Sequence, residues 1–177
     1  MNALTKSQSR LRWLVFTLLL GGCVGSDQVS KHMAVDSLQG EPPFTLLGEI
    51  VRIEYAENTG AFLGLGENMS DAARFWILLI GTGALLVGVI WYLYRNLDMP
   101  WTTFISMSLI VAGGIGNLVD RAVAGYVVDF VSVGLGPVRT GVFNIADVAI
   151  TGGAIWLAFE SFFLQGKVDE EPTEAAT

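Results

Sequence analysis

The sequence has few of the residues that build disulfide frameworks or zinc sites. It contains one cysteine, Cys23, and one histidine, His32, among 177 residues. A single cysteine excludes an internal disulfide framework, and a single histidine leaves no pattern of zinc ligands. Its glycines form no strand–turn–helix loop of the kind that holds phosphate. We therefore expect no disulfide framework, no zinc site and no phosphate-binding loop.

Charged residues are also scarce. Asp, Glu, Lys and Arg make up 15% of the chain and hydrophobic residues 52%, with a mean hydropathy of +0.54. A soluble domain has charges at about a quarter of its positions. The net charge of −7 and the lack of a basic patch argue against a nucleic-acid partner. This composition indicates that lipid is the solvent, with a solvated, disordered acidic tail over residues 166–177.

Four apolar segments are candidates to cross a membrane as one integral membrane domain, residues 1–177. A spanning helix needs roughly 20 mostly apolar residues. We predict spans over residues 12–34, 75–94, 100–119 and 142–164. The first and fourth segments qualify only if each has an acid near one end, Asp27 and Asp147 respectively.

The distribution of basic residues predicts the orientation. Lys6, Arg10 and Arg12 precede the first span, which favours a cytoplasmic N-terminus. Four spans then place both termini in the cytoplasm and the loops 35–74 and 120–141 outside.

Both outer loops contain segments that are typical of strands. The segments 44–55 and 126–133 are rich in β-branched and aromatic residues. We therefore predict a membrane all-α fold of four transmembrane helices, with a small extracytoplasmic β-sheet formed by the outer loops.

Ionisable and amide side chains gather at the outer ends of the predicted helices. They are Asp27 and Lys31 on the first helix, Asn117, Asp120 and Arg121 on the third, Asp129 in the second outer loop, and Asn144 and Asp147 on the fourth. A carboxylate at bilayer depth costs several kcal/mol unless it is paired or hydrated. These positions therefore need an explanation.

Most of these residues also have structural explanations. Asp120 with Arg121, and Asp27 with Lys31, are predicted to be helix ion pairs, and the two asparagines to bridge helices. Five glycines are expected to allow close helix packing: Gly21, Gly25, Gly113, Gly114 and Gly116. Asp129 and Asp147 have no adjacent basic residue. Intramembrane acids of this kind are functional candidates.

Five short strings carry a family resemblance. They are DQVSK (27–31), NTGAF (58–62), GGIGNLVDR (113–121), VVDF (127–130) and FNIAD (143–147). In this order, at the outer ends of four spans, the strings resemble bacterial lipoprotein signal peptidase, also called signal peptidase II. Relatives often have a second alanine in the NTGAF string and a small residue where Val148 stands, and neither departure touches a motif acid.

The resemblance implies an aspartic endopeptidase of the bacterial plasma membrane, active at its outer face without a cofactor. It would cleave signal peptides from diacylglyceryl-modified prolipoproteins before the lipidated cysteine. The expected partners are these precursors and membrane lipid, and the expected state is a monomer. The implied dyad is Asp129 and Asp147. The implied supporting residues are Asn58, Gly60, Asn117, Asp120, Arg121, Asn144, Asp27 and Lys31.

Three other interpretations of the sequence remain. Residues 20–23 (LGGC) follow a basic start and an apolar run and resemble a lipobox, as in a lipoprotein. The structural alternative to a lipobox is that Cys23 is a buried apolar residue. The intramembrane acids would also suit a proton relay in a transporter or channel, although such sites tend to lie at the bilayer midplane. A purely structural subunit would leave Asp129 and Asp147 unexplained.

Overall fold

A computed structural model describes residues 5–60 and 69–164. The predicted acidic tail and residues 61–65 of the first outer loop lie outside this range. The helices are α1 (Lys6–Leu38), α2 (Asp71–Arg95), α3 (Trp101–Ala124) and α4 (Ile145–Phe159), and α4 continues into a π-helical turn, Glu160–Leu164. All four helices are long and apolar enough to cross a membrane, as predicted.

The helices do not coincide with the apolar runs. Helix α1 has 33 residues and at ~1.5 Å per residue exceeds the ~30 Å hydrocarbon core. Helix α3 continues past residue 119 to Ala124, so Asp120 and Arg121 lie on the helix. Helix α4 begins only at Ile145, because Asn144 is its N-cap. Asp147 consequently lies in the first helical turn, closer to the helix end than the apolar run suggested.

The outer loops form the predicted sheet. Its strands are β1 (Phe44–Leu46), β2 (Val51–Asn58), β3 (Val127–Leu135) and β4 (Val138–Arg139), all antiparallel, in the order β1-β2-β3-β4. Strand β2 pairs Ile53 with Val131 but Ala56 with Asp129, so it has one more residue than β3 over this stretch. Such a bulge re-aims the side chains beyond it. As a result, Asp129 and Asn58 lie close together on the sheet.

Helix α3 is the centre of the bundle, since it contacts α1, α2 and α4. Three of its glycines are closely packed, as predicted. A Cβ on Gly113 would collide with the Ala146 carbonyl oxygen, and one on Gly116 would lie 2.7 Å from Asp27 Oδ2. A Cβ on Gly114 would likewise lie only 2.6 Å from Leu86 Cδ2. Substitution here would separate the helices that carry the candidate site residues.

The same prediction was wrong for α1. Gly21 and Gly25 are exposed, and a Cβ at either would meet no atom within 4 Å. The face of α1 that packs in the bundle instead includes Phe16, Asp27 and Ala34. Cys23 lies within the same unbroken helix and is partly exposed, so the alternative that it is a buried residue was also wrong.

An apolar cluster lies at the end of the bundle opposite Asp27, Asp120 and Asp147, and the buried Glu160 and Arg12 lie at the same end as the cluster. Phe16, Leu93, Phe104 and Val111 form a buried cluster where α1, α2 and α3 meet. The other end of α1, α3 and α4 is filled by polar side chains, and the sheet lies beside them. The two ends of the bundle therefore have different chemistry.

Candidate active site

Strand β3 places Asp129 at the polar end of the bundle. Helix α3 ends at Gly125, whose φ of 85° lets the chain reverse into the strand. Asp129 is only 2% exposed. Its Oδ2 accepts a hydrogen bond from Asn58 Nδ2 at 3.0 Å, and its Oδ1 accepts one from Asn144 Nδ2 at 2.7 Å. The carboxyl group is thus held by one amide on each side.

Asp147 is oriented by the first turn of α4. Its backbone N–H donates to Asn144 Oδ1 at 2.9 Å, and its Oδ2 accepts from the Asn144 backbone N–H at 3.3 Å. This reciprocal pair is a capping box. Its other oxygen, Oδ1, accepts from Asn117 Nδ2 at 2.8 Å. Asp147 is only partly buried.

Asn144 connects the two carboxyl groups. It is 1% exposed, and its Nδ2 also lies 3.1 Å from Asn117 Oδ1. The preceding Phe143 pairs with Val131 of β3, where its N–H donates to the Val131 carbonyl at 2.8 Å. This bridge brings the start of α4 beside β3. One side chain therefore contacts both Asp129 and Asp147.

The surroundings favour a proton on Asp129. Burial raises the pKa of Asp129 to about 6, and the nearby Asp147 carboxylate contributes to the rise. Hydrogen bonds from Asn58 and Asn144, together with the Lys31 charge, act in the opposite direction. Burial is thus the main cause of the raised pKa of Asp129, and the neighbouring carboxylate adds to it.

A charged cluster of Asp27, Lys31 and Asp120 lies next to Asn117, which also contacts Asp147. Lys31 Nζ lies 2.7 Å from Asp27 Oδ2 and 2.8 Å from Asp120 Oδ2, and it donates to Asn117 Oδ1 at 2.9 Å. The pair between Asp27 and Lys31 confirms the i, i+4 prediction. Asp120 pairs with Lys31 across helices, and no ion pair with its neighbour Arg121 occurs in the described part of the chain. Consecutive helical residues do not face each other.

Arg121 differs from the other supporting residues. It is partly buried and within electrostatic reach of Asp147, Asp129 and Asp120. Its buried Nε has no hydrogen-bond partner in the described ranges. Because this Nε is buried, it can donate to a bound molecule only if the Arg121 side chain moves.

Gly60 and two groups that sequence analysis missed complete the network. The Gly60 N–H donates to Asn58 Oδ1 at 2.8 Å, and its φ of 89° suits glycine. Gln28 Nε2 donates to Asp120 Oδ1 at 2.6 Å, and the Ala146 backbone N–H donates to Asp27 Oδ1 at 2.9 Å. Gln28 stands three residues before Lys31, and this i, i+3 spacing could have identified it. The backbone contact has no sequence signal.

The arrangement suits acid–base chemistry on a bound molecule. Two carboxyl groups are fixed by amide donors at the end of a helical bundle, and the more buried one has a raised pKa. Such a pair can take a proton from water and give one to a carbonyl oxygen. In residues 5–60 and 69–164, no three His, Cys, Asp or Glu side chains are grouped to hold a metal ion.

Comparison with known proteins identifies a family that the chain matches. Residues 19–163 match the family model described as signal peptidase (SPase) II. The chain is 34% identical to the lipoprotein signal peptidase of Rhodococcus jostii, over 82% of this chain and 71% of the relative. It is 33% identical to the enzyme of the same name from Psychromonas ingrahamii, over 93% of both chains.

Solved structures share the fold. A bacterial membrane enzyme solved at 2.3 Å resolution superposes with a TM-score of 0.72 at 23% identity, covering 92% of this chain and 94% of that one. A second, solved at 1.9 Å, gives a TM-score of 0.74 at 24% identity, covering 84% and 92%. The match over residues 19–163 and the relatives from Rhodococcus jostii and Psychromonas ingrahamii show that the chain belongs to the signal peptidase II family.

Proposed function

We propose that this protein is an aspartic endopeptidase that removes signal peptides from diacylglyceryl-modified prolipoproteins. It cleaves before the lipidated cysteine, and it acts as a monomer surrounded by membrane lipid. The observation that carries the proposal is the contact of Asn144 with both Asp129 and Asp147. This contact holds two carboxyl groups together at the end of a membrane bundle, where a lipid-anchored peptide would present its scissile bond.

Their surroundings suggest different roles for the two aspartates. Asp147 lies in the first turn of α4, where the helix dipole favours negative charge, and it is the more exposed of the two. Asp129 is buried and its pKa is raised to about 6. Asp147 is accordingly the general base, and Asp129 is the general acid that carries the shared proton.

The reaction adds one water across one peptide bond. Asp147 takes a proton from the water as its oxygen attacks the carbonyl carbon, while Asp129 gives its proton to the carbonyl oxygen. In the collapse, Asp147 gives its proton to the departing nitrogen and Asp129 recovers one from the tetrahedral intermediate as the C–N bond breaks. The products are a signal peptide with a new carboxyl terminus and a lipidated cysteine with a free amine.

The membrane orientation is part of the proposal. Both termini are cytoplasmic, and the dyad faces the exterior of the plasma membrane. Lys6, Arg10 and Arg12 support this orientation through the positive-inside rule. The substrate would then approach within the bilayer, and the partly buried Arg121 guanidinium would contribute to orienting it.

Cleavage of a purified lipidated precursor in detergent, followed by gel shift, tests the proposal. Asp129→Asn and Asp147→Asn should each lower turnover by at least about 100-fold, because each removes a group that transfers protons. Asp36→Asn is the matched control. Asp36 is an exposed acid near the C-terminal end of α1, which is the end of that helix that carries Asp27 and Lys31. Retained turnover in either dyad variant would refute the aspartic mechanism.

A second arm tests the substrate class. The same precursor without its diacylglyceryl group should be cleaved far more slowly than the lipidated form. Equal cleavage of both forms would contradict the proposed requirement for lipid while leaving the peptidase mechanism intact.

A further inference from the structure

The amide group of Asn117 lies between the charged cluster and the dyad. Its Oδ1 accepts hydrogen bonds from Lys31 Nζ at 2.9 Å and from Asn144 Nδ2 at 3.1 Å. Its Nδ2 donates to Asp147 Oδ1 at 2.8 Å. The two ends of one amide therefore face opposite partners.

The Lys31 ammonium, together with the Asn144 NH2 group that donates to the same oxygen, decides which way this amide points. An ammonium group has three donors and no acceptor, and an ionised carboxylate has only acceptors. With the amide reversed, its NH2 would face the ammonium of Lys31 and its oxygen would face the carboxylate of Asp147. Both contacts would be repulsive, so the ammonium selects the orientation that directs an N–H to Asp147.

Lys31 is itself immobilised. Its side chain is 3% exposed and lies between the carboxylates of Asp27 and Asp120. The Ala146 backbone N–H holds Asp27 at 2.9 Å, and Gln28 holds Asp120 at 2.6 Å. The ammonium is thereby kept at one place relative to α3 and α4.

We propose that Lys31 is a positioning residue for the peptidase reaction, whose ammonium orients Asn117 so that Asp147 receives its N–H. This inference rests on the proposed function. Lys31 makes no hydrogen bond or ion pair with either aspartate of the dyad among the described residues. Its charge acts on Asp129 at a distance, and its positioning effect on Asp147 passes through Asn117. It should therefore affect kcat much more than KM.

A cavity beside Lys31 permits a direct test. It has a volume of about 350 Å³, and Lys31, Gln28, Asp120 and the exposed His32 are among the residues that line it. Truncation of Lys31 to alanine would enlarge this space next to Asp27 and Asp120. A small alkylammonium ion could then enter and replace the missing group.

The experiment measures kcat and KM of Lys31→Ala on the lipidated precursor, with and without propylammonium. We expect kcat to fall about 100-fold, as for a misplaced catalytic group, with KM changed much less. Propylammonium should restore kcat at least tenfold in a saturable way. Propanol and sodium chloride at the same concentrations should not, and none of them should activate the wild-type protein.

Stability needs a separate control, because loss of Lys31 leaves two buried carboxylates without a counter-ion. A triple variant, Lys31→Met with Asp27→Asn and Asp120→Asn, removes all three charges with little change in shape. It should fold and still show the low kcat. Glu160→Gln is a matched control at the other end of the bundle, where Thr102 and Thr103 donate to this buried acid. It should lower stability without lowering kcat.

Three results would overturn the role of Lys31: wild-type kcat in the triple variant, wild-type kcat in Lys31→Ala, or a folded Lys31→Ala that propylammonium does not restore. If the wild-type protein itself fails to cleave the lipidated precursor, the proposed function fails whatever the Lys31 variants do. Cleavage by the wild type together with unaffected Lys31 variants removes only this inference.

Discussion

At the scale of single residues, two identical side chains have different surroundings. Asp129 is 2% exposed on a strand and is held by two side-chain amides. Asp147 lies at a helix N-terminus, is more exposed, and accepts one side-chain and one backbone N–H. The different burial and the helix end separate their proposed roles, since desolvation favours the protonated form and a helix N-terminus favours the charged one.

The pKa of Asp129 predicts a pH dependence. As the proposed acid, Asp129 must be protonated in the free enzyme, and its pKa is raised to about 6. We expect kcat/KM to fall as pH rises through about 6, because the proton is then lost. A series of kcat/KM measurements from about pH 4 to about pH 9 checks this.

A substitution of Asn58 should change the pH at which kcat/KM falls, which is the alkaline limb of the pH profile. Its hydrogen bond to Asp129 favours the ionised form and so lowers the pKa of Asp129. Asn58→Ala should therefore shift the alkaline limb to higher pH. A shift to lower pH, or an alkaline limb that remains where it is, would contradict the assignment of that limb to Asp129.

At the scale of elements, the start of α4 has both a structural and a functional role. Asn144 is the N-cap of the helix and also contacts Asp129 and Asn117. The beginning of one helix thus determines where both carboxyl groups lie. Helix α1 begins with a comparable capping box at Thr5, far from the dyad along the chain.

This similarity permits a matched pair of variants. Thr5→Ala should destabilise the protein by about 1 kcal/mol through loss of a cap. Asn144→Ala should destabilise it by more, because the buried Asp129 and Asn117 also lose a hydrogen-bond partner. Only Asn144→Ala should also lower kcat, by about 100-fold, because the dyad loses a group that orients it. Thermal unfolding in detergent and turnover measure the two effects. Equal turnover in the two variants would show that Asn144 acts only as a cap.

The packing of α3 against α1 and α4 depends on a glycine. A Cβ on Gly116 would lie 2.7 Å from Asp27 Oδ2 and 3.3 Å from the Ala146 Cβ. Gly116→Ala should destabilise the bundle by about 1–3 kcal/mol through overpacking. Gly25→Ala should not, because a Cβ there meets open space. Thermal unfolding in detergent compares the two, and equal melting temperatures would contradict the packing described here.

At the scale of the whole molecule, the two ends of the helical bundle differ. One end contains a buried apolar cluster, and the other end, beside the sheet, contains the dyad and the charged cluster. Phe16, Leu93 and Phe104 close one end, and the dyad and its cluster occupy the other. The proposed orientation places the sheet and the polar end outside the plasma membrane. A substrate anchored by lipid could reach this end without leaving the bilayer.

Cysteine labelling tests the proposed orientation. In a Cys23→Ala background, Leu47→Cys lies in the exposed turn after β1, and Ser7→Cys lies at the exposed start of α1. An impermeant maleimide added to intact cells should label position 47 and not position 7. Lysis should expose both. Labelling of position 7 alone in intact cells would show that the topology is opposite to the proposed one.

Local patterns in the sequence predicted the helices and most of the sheet. Hydropathy over about 20 residues identifies a spanning helix because each such helix satisfies its own backbone hydrogen bonds. The segments 44–55 and 126–133 likewise predicted strands that the structure contains as β1, β2 and β3. Helix ends were less accurate, since they depend on caps such as Asn144 and not on apolar content.

The sequence by itself therefore determined a four-span membrane protein with its acids at one end, and its short motifs indicated the family. The i, i+4 spacing also predicted the pair between Asp27 and Lys31, and only the tertiary structure decided the partners of the other acids. Lys31 reaches Asp120 of α3, and Asn144 contacts both Asp129 and Asp147. These contacts depend on the rotation of α1 and α3, the bulge in β2 and the start of α4. Such long-range geometry arises from packing between distant segments, which no local pattern records.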